Sequence, residues 1–416
     1  MHYISNGDLM GYSKINFNNF FFSAICVCLV VFSINYKFFG FLRILDLIIL
    51  ILFGLFFFLK PKINNEQFVT FLLITFVLVL STYLGVLKNG PIKISRLIFI
   101  YKYLFIFLLP WLIVSVIKTE KQIIIVNKLL LINFILLSIW SWIYVYLRSI
   151  ELIDGQPRPS FPTLDFQQSD AHLYSSYLGF FLSAYILYIK DFFKHNLFLS
   201  FIISFNGIVG LLMTGSRTGI LLISITFLAF SFSAFKNYLN LVNKFKKIQI
   251  KKLFYALSIL IFLIELLFMF QYEFINNFNY LIQRTLNFNL FNDLSSLSRL
   301  TKLTLSFEEV SYLGWLLGNG LKSKLTWYDG IFSMLMAHGG LLIIILFIIF
   351  YFLIMKKIFV NVFNKKNHKI FVFLIGIYLI SNLITEHIMI SRNAFPVLVF
   401  LATMYVTIKK KTISNN

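Results

Sequence analysis

Apolar runs of about 20 residues, the length a helix needs to cross a ~30 Å hydrocarbon core, recur twelve times along this chain and leave little else to fold. They begin near residues 20, 42, 68, 97, 123, 173, 197, 218, 253, 331, 370 and 394. Backbone inside lipid must satisfy its own hydrogen bonds, so runs of this kind read as helices. The expected fold class is all-α: a polytopic membrane protein with about 12 transmembrane helices, taken as one integral-membrane domain over residues 1–416. Two stretches between runs are too long for turns, 149–171 and 272–330. The second is expected to be a helical periplasmic loop between helices 9 and 10. Charged residues are 13% of the chain, against about 25% in a soluble domain, and no stretch is polar enough to be a soluble domain of its own.

The net charge of +21 would suit a nucleic-acid protein, but no nucleic-acid motif accompanies it, and its placement explains it better. With the N-terminus inside, the inner loops collect Lys14, Lys60, Lys62, Lys118, Lys121, Lys190 and Lys194. They also take the lysines between 236 and 252, those between 356 and 369, and Lys409, Lys410 and Lys411. That is the positive-inside pattern, with both termini cytoplasmic. The arginines Arg43, Arg96, Arg148, Arg158, Arg217, Arg284, Arg299 and Arg392 all fall on the opposite side. In a composition drifting toward Lys, an Arg marks a place where its planar fork of donors has a use that an ammonium does not fill. Anchoring of helix ends accounts for Arg43 and Arg148; the others point to an outer surface that binds anions, phosphate above all. Cys26 and Cys28 face different sides of one helix and imply neither a disulfide nor a metal site.

The chemistry gathers at three places. Thr214-Gly215-Ser216-Arg217-Thr218-Gly219 is a tight turn between two apolar runs. It puts a guanidinium and several backbone N–H groups where the bilayer ends, either as a phosphate cradle or as a headgroup anchor. The loop 149–171 holds Pro157, Pro159 and Pro162 with Arg158, and ends at His172. Prolines at that density make a stiff, extended segment. The loop 272–330 begins with Phe274, Phe278, Leu281, Thr285 and Phe288 at helical spacing, with Arg284 at the polar edge of a surface helix. Asp293 and Ser295 can cap a second helix carrying Arg299 and Lys302 one turn apart. A flexible turn follows at Leu316-Leu317-Gly318-Asn319-Gly320, then Trp327-Tyr328-Asp329-Gly330. Beyond it His338 lies inside an apolar run, a candidate for function or for a hydrogen bond across helices beside Gly339-Gly340. Glu386 stands where it can pair with Arg392. There is no P-loop, no Asp-x-Asp motif and no clustered metal ligands, and no cofactor is expected.

Taken in order, the Thr214–Gly219 turn, Ser298-Arg299-Leu300 with Leu317-Gly318-Asn319-Gly320, and Asp329-Gly330-Ile331-Phe332 with Gly339-Gly340 resemble the O-antigen polymerase (Wzy) and O-antigen ligase superfamily. The resemblance covers most of residues 150–400 through short motifs. It implies a metal-independent, inverting glycosyltransferase at the outer face of the bacterial inner membrane, acting on an undecaprenyl-diphosphate-linked oligosaccharide. Membrane lipid and a chain-length regulator protein are its implied partners. Arg217, Arg284, Arg299 and Arg158 would hold the diphosphate. Asp329 or His338 would be the general base, and Tyr328 and Trp327 would stack on sugar. Where ligases of the family tend to carry His-Asn, this chain has Asp329-Gly330, which favours polymerase over ligase. A flippase of lipid-linked oligosaccharides is the rival of another class. It should carry arginines along its spans and short loops, whereas here they sit at the outer edge beside two long loops.

Overall fold

The computed structural model describes residues 6–32, 44–56, 65–92, 96, 98–152, 158–162, 171–241, 279, 283, 294–309, 313–325, 330–359, 366–384 and 391–413. Among these the chain is all-α. It divides into two compact units, one of Met1–Leu130 with Asn289–Asn416 and one of Leu131–Phe288. The helices are α1 (Asn6–Val31), α2 (Ile44–Phe56), α3 (Asn65–Asn89), α4 (Ile98–Val116), α5 (Glu120–Ser149) and α6 (Ala171–Ala184). They continue with α7 (Leu197–Met213), α8 (Arg217–Leu241), α9 (Leu294–Glu308), α10 (Ile331–Phe359), α11 (Lys366–Ile384) and α12 (Ser391–Ile413). The apolar run from 253 and the proposed surface helix around Arg284 lie outside the described residues; the other runs coincide with helices.

Length and apolarity mark three described segments as able to cross a membrane: Asn65–Asn89, Glu120–Ser149 and Ile331–Leu353. α3 has the surface expected of a helix that can lie in lipid. Its buried face carries Thr70, Ile74, Val77, Ser81 and Gly85, while Phe76, Val79, Tyr83 and Leu87 are exposed. Small and hydroxyl side chains packed inside, with large apolar ones outside, is the pattern of a helix that gains nothing by hiding hydrocarbon.

In the first unit α4 and α10 run parallel. Tyr103 meets His338 near their starts, and Phe107 and Trp111 pack on Phe347 and Phe350 further along. α3 runs the other way, for Gln67 at its beginning accepts a hydrogen bond from Trp111 Nε1 at 3.0 Å. α10 is broken in the middle. Gly340 has φ 67° and ψ −159°, a region essentially restricted to glycine. The residues that the sequence pattern reads as a flexible turn fill this break. Leu341 N donates to Trp315 O at 3.0 Å, Leu342 N to Leu316 O at 3.3 Å, and Asn319 N to Ala337 O at 2.9 Å. Leu317 to Leu321 are buried. The turn is therefore a packed segment inserted between α3 and α10, and Gly85 of α3 lets Asn319 O come so close that a Cβ would collide with it. Irregular backbone at such a place survives because the protein itself supplies its partners.

In the second unit α6 and α8 run parallel in backbone contact. A Cβ on Gly179 would come within 2.8 Å of Gly219 O, and Thr226 Oγ1 donates to Ser183 Oγ at 2.7 Å. α6 continues through a π-helical stretch, Tyr185–Ile189, into a last turn, Lys190–Phe192.

Candidate functional site

The turn between α7 and α8 is three residues long. Gly215 takes φ 54° and donates its N–H to Leu212 O at 3.0 Å. Thr214 Oγ1 donates to Leu211 O at 2.7 Å and accepts from Ser216 N at 3.3 Å. Arg217 is thereby the first residue of α8, half-buried. Ser175 Oγ of α6 donates to Ser216 O at 3.3 Å, which holds the N-terminal turn of α8 against that of α6. Two helix N-termini side by side, each carrying roughly half a positive charge, favour an anion there.

The Pro-rich loop comes to the same end of this unit and is pinned there. Trp140 Nε1 donates to Ser160 O at 2.9 Å, and the Phe161 ring stands edge-on to Tyr174 and Tyr177. Pro159, Ser160 and Phe161 are buried, so this part of the loop is packed and does not extend freely, and Arg158 beside it is half-buried. His172 sits in the first turn of α6, its carbonyl accepting from Ser176 Oγ at 3.0 Å. Arg148 ends α5, so Arg148, Arg158, His172 and Arg217 share one end, while Lys190 and Lys194 lie at the other. Within this unit the arginine and lysine sides read from sequence are opposite ends of the helices.

The first unit holds His338, 1% exposed, with Nδ1 at 2.9 Å from Tyr103 Oη. Lys102, the neighbour of Tyr103 on α4, is itself buried. Arg96 donates through Nη1 to Leu321 O at 3.0 Å and to Ser323 O, and through Nη2 to Lys324 O at 3.5 Å. From the other side the Glu309 carboxylate, 2% exposed, accepts from Asn319 Nδ2 at 2.6 Å and from Lys324 N. These two charged residues clamp the inserted segment that breaks α10 around His338: one hydrogen bond falls on Ala337, two on Leu341 and Leu342. Sequence reasoning missed Arg96, Lys102, Tyr103 and Glu309 as parts of this cluster. Lys102 inside an apolar run was the available signal, since a charge within a span is rarely idle.

Asp329, Tyr328, Glu386 and Arg284 lie outside the described residues, and Arg299 and Arg392 are placed by backbone only, on α9 and at the start of α12. α9 itself begins at Leu294, next to the expected cap Asp293. No family model, no curated protein and no solved structure matches the chain.

Proposed function

We propose that this chain is a polysaccharide polymerase of the O-antigen type. It transfers an undecaprenyl-diphosphate-linked glycan onto a sugar hydroxyl of another lipid-linked repeat unit at the periplasmic face of a bacterial inner membrane. The observation that supports it most is Arg217 on the first turn of α8, beside the N-terminus of α6 and on the same end as Arg158. Such an end suits a diphosphate: a fork of N–H donors, two helix N-termini, and distance from the lysine-rich side.

In the transfer the bond from the anomeric carbon to the lipid diphosphate breaks as the hydroxyl oxygen of the acceptor bonds to that carbon from the opposite face, which inverts the centre. The hydroxyl proton passes to a base, and undecaprenyl diphosphate leaves with its added charge held by Arg217, with Arg158, Arg284 and Arg299 as further ligands. Asp329 is the base in this reading, because the His338 ring is enclosed and its Nδ1 is engaged by Tyr103. Tyr328 and Trp327 are the sugar-stacking surfaces, and Arg392 and Glu386 are further substrate-binding candidates. The reading keeps twelve crossings, both termini cytoplasmic, and a chain-length regulator as partner.

One observation favours a second reading, an exporter of lipid-linked oligosaccharide: the broken α10 and its inserted segment are of a kind that transporters use at their binding sites. The two are separated by incubating the purified protein in vesicles with lipid-linked repeat units. A polymerase yields products of two and more repeats and frees undecaprenyl diphosphate. Repeats that change leaflet without lengthening would refute the polymerase.

A further inference from the structure

The inserted segment also has an outward side. Leu313 is 56% exposed, Trp315 61% and Leu316 48%, whereas Leu317 to Leu321, directly after them, are buried. Gly314, with φ 65°, makes the turn at the tip. The tip's depth follows from its hydrogen bonds: Trp315 and Leu316 are level with Leu341 and Leu342, and the returning Asn319 is level with Ala337. Leu341 lies ten residues beyond the start of α10, about 15 Å at 1.5 Å per residue. Among the described residues after α9, Leu313–Leu316 are the deepest, and from there the chain climbs back through Asn319 to Ser323, where Arg96 and Glu309 clamp it.

From that same level onward α10 turns an apolar face outward: Leu341 is 42% exposed, Ile345 51%, Ile348 53% and Phe352 53%. Residues 331–340 before it are almost all buried. The exposed tip is continuous with this face, which belongs to one of the three membrane-capable segments. On α9 too, Leu297, Leu300, Leu303 and Phe307 are exposed at helical spacing. A contiguous apolar surface of this extent is not left to water, and two carbonyls of the tip, Trp315 O and Leu316 O, accept from Leu341 and Leu342 of α10 instead of facing lipid.

We infer that residues 313–323 form a re-entrant segment whose tip, Leu313 to Leu316, is immersed in the hydrocarbon of the leaflet on the arginine-bearing side, with lipid chains lying against Trp315. α9 then lies along the headgroups above it with its leucine stripe downward. The partner of this surface is lipid, and one strand of chain, Trp315 to Asn319, separates it from the helix turn that carries His338. The inference is independent of which reaction the protein performs.

Tryptophan quenching tests it on the whole chain in phospholipid vesicles. Trp111, Trp140 and Trp142 are at least partly buried in protein, and the fifth tryptophan, Trp327, is replaced by Phe in both proteins compared, so Trp315 should dominate the contact with lipid. Chains brominated near their middle should quench the protein that keeps Trp315 strongly, and Trp315→Phe should remove the largest part of that quenching. Aqueous iodide should quench both proteins equally. If Trp315→Phe instead lowers quenching by iodide and leaves quenching by brominated lipid unchanged, the tip is in water and the inference falls. Should Trp315→Phe not be recoverable, Leu316→Cys in a Cys26→Ser, Cys28→Ser background gives the same decision. It should resist a charged maleimide and accept a lipophilic one, and rapid reaction with the charged reagent overturns the inference.

Discussion

Replacing Gly340 by alanine puts the break in α10 to a direct test. At φ 67° and ψ −159° a residue with a side chain carries a strain on the order of 1–3 kcal/mol. The added Cβ would also approach Leu316 O to 2.6 Å, well inside ordinary contact, and that oxygen belongs to backbone that the hydrogen bond to Leu342 holds in place. The alternative is for α10 to straighten. That regains up to about 1 kcal/mol of helix propensity. It also takes the Leu341 and Leu342 N–H groups away from Trp315 O and Leu316 O, and each carbonyl left unpaired costs about 1–3 kcal/mol. Either route predicts a loss of roughly 2–5 kcal/mol. Gly376→Ala in α11 is the control, since a Cβ there meets nothing within 4 Å; it should be neutral or stabilise by up to about 1 kcal/mol. Denaturant unfolding in one detergent, followed by tryptophan fluorescence and by loss of the monodisperse peak, compares the two. Equal midpoints for Gly340→Ala and Gly376→Ala would mean that α10 is unbroken and that the inserted segment does not sit where its hydrogen bonds put it.

Arg96→Lys should lose part of the clamp on Leu321, Ser323 and Lys324, because one ammonium cannot span the acceptors a guanidinium reaches. The expected result is destabilisation of about 2 kcal/mol or more, with faster proteolysis between residues 309 and 325, and protection equal to the native protein would contradict it. Arg217→Lys should insert normally but lose activity by about tenfold or more, since a charge-assisted pair is worth roughly 1.5–3 kcal/mol; near-native turnover would leave Arg217 as a headgroup anchor. Asp329→Asn should abolish turnover at equal expression, and His338→Gln should act mainly on stability through the lost Tyr103 bond. The reverse pattern would move the base to His338. On either side of α5, Glu151→Cys should react with an impermeant thiol reagent in intact spheroplasts and Lys118→Cys should not. Labelling only at Lys118 would invert the topology.

The helices were legible because apolar length is a strong signal where lipid is the solvent, and the runs starting near 68, 123 and 331 reappear, among the described residues, as the three segments long and apolar enough to cross a membrane. The Thr214–Gly219 turn was legible too: a stretch rich in Gly and hydroxyls stands between two apolar runs, and the chain turns there with Gly215 at φ 54°. The break at Gly340 was not. Gly339-Gly340 inside an apolar run reads as a close helix contact, and nothing local distinguishes that from a point where backbone bonds pass to residues 26 positions earlier. For the same reason Leu316 to Gly320 reads as a flexible turn when viewed locally. Its burial depends on partners far away in sequence: Gly85 on α3, Arg96 before α4 and Glu309 after α9. Arg96 was visible as a cation on the outer side, but its acceptors are backbone carbonyls, which no side-chain pattern announces. Ser160 and Phe161 likewise sit in a polar, Pro-rich stretch, and their packing is set by Trp140, Tyr174 and Tyr177.

The polymerase assignment is tested most directly by the lipopolysaccharide of a strain lacking this gene and otherwise making O-antigen. A polymerase joins repeats on the lipid carrier before they reach the lipid A core, so its loss leaves later transfer intact but starved of long chains. The gel should show core carrying a single repeat, with the ladder of longer bands gone, and complementation with Arg217→Lys should restore little of it. Bare core would contradict the assignment. Polymer stranded on undecaprenyl diphosphate would then indicate the ligase, and single repeats held on the cytoplasmic leaflet the flippase.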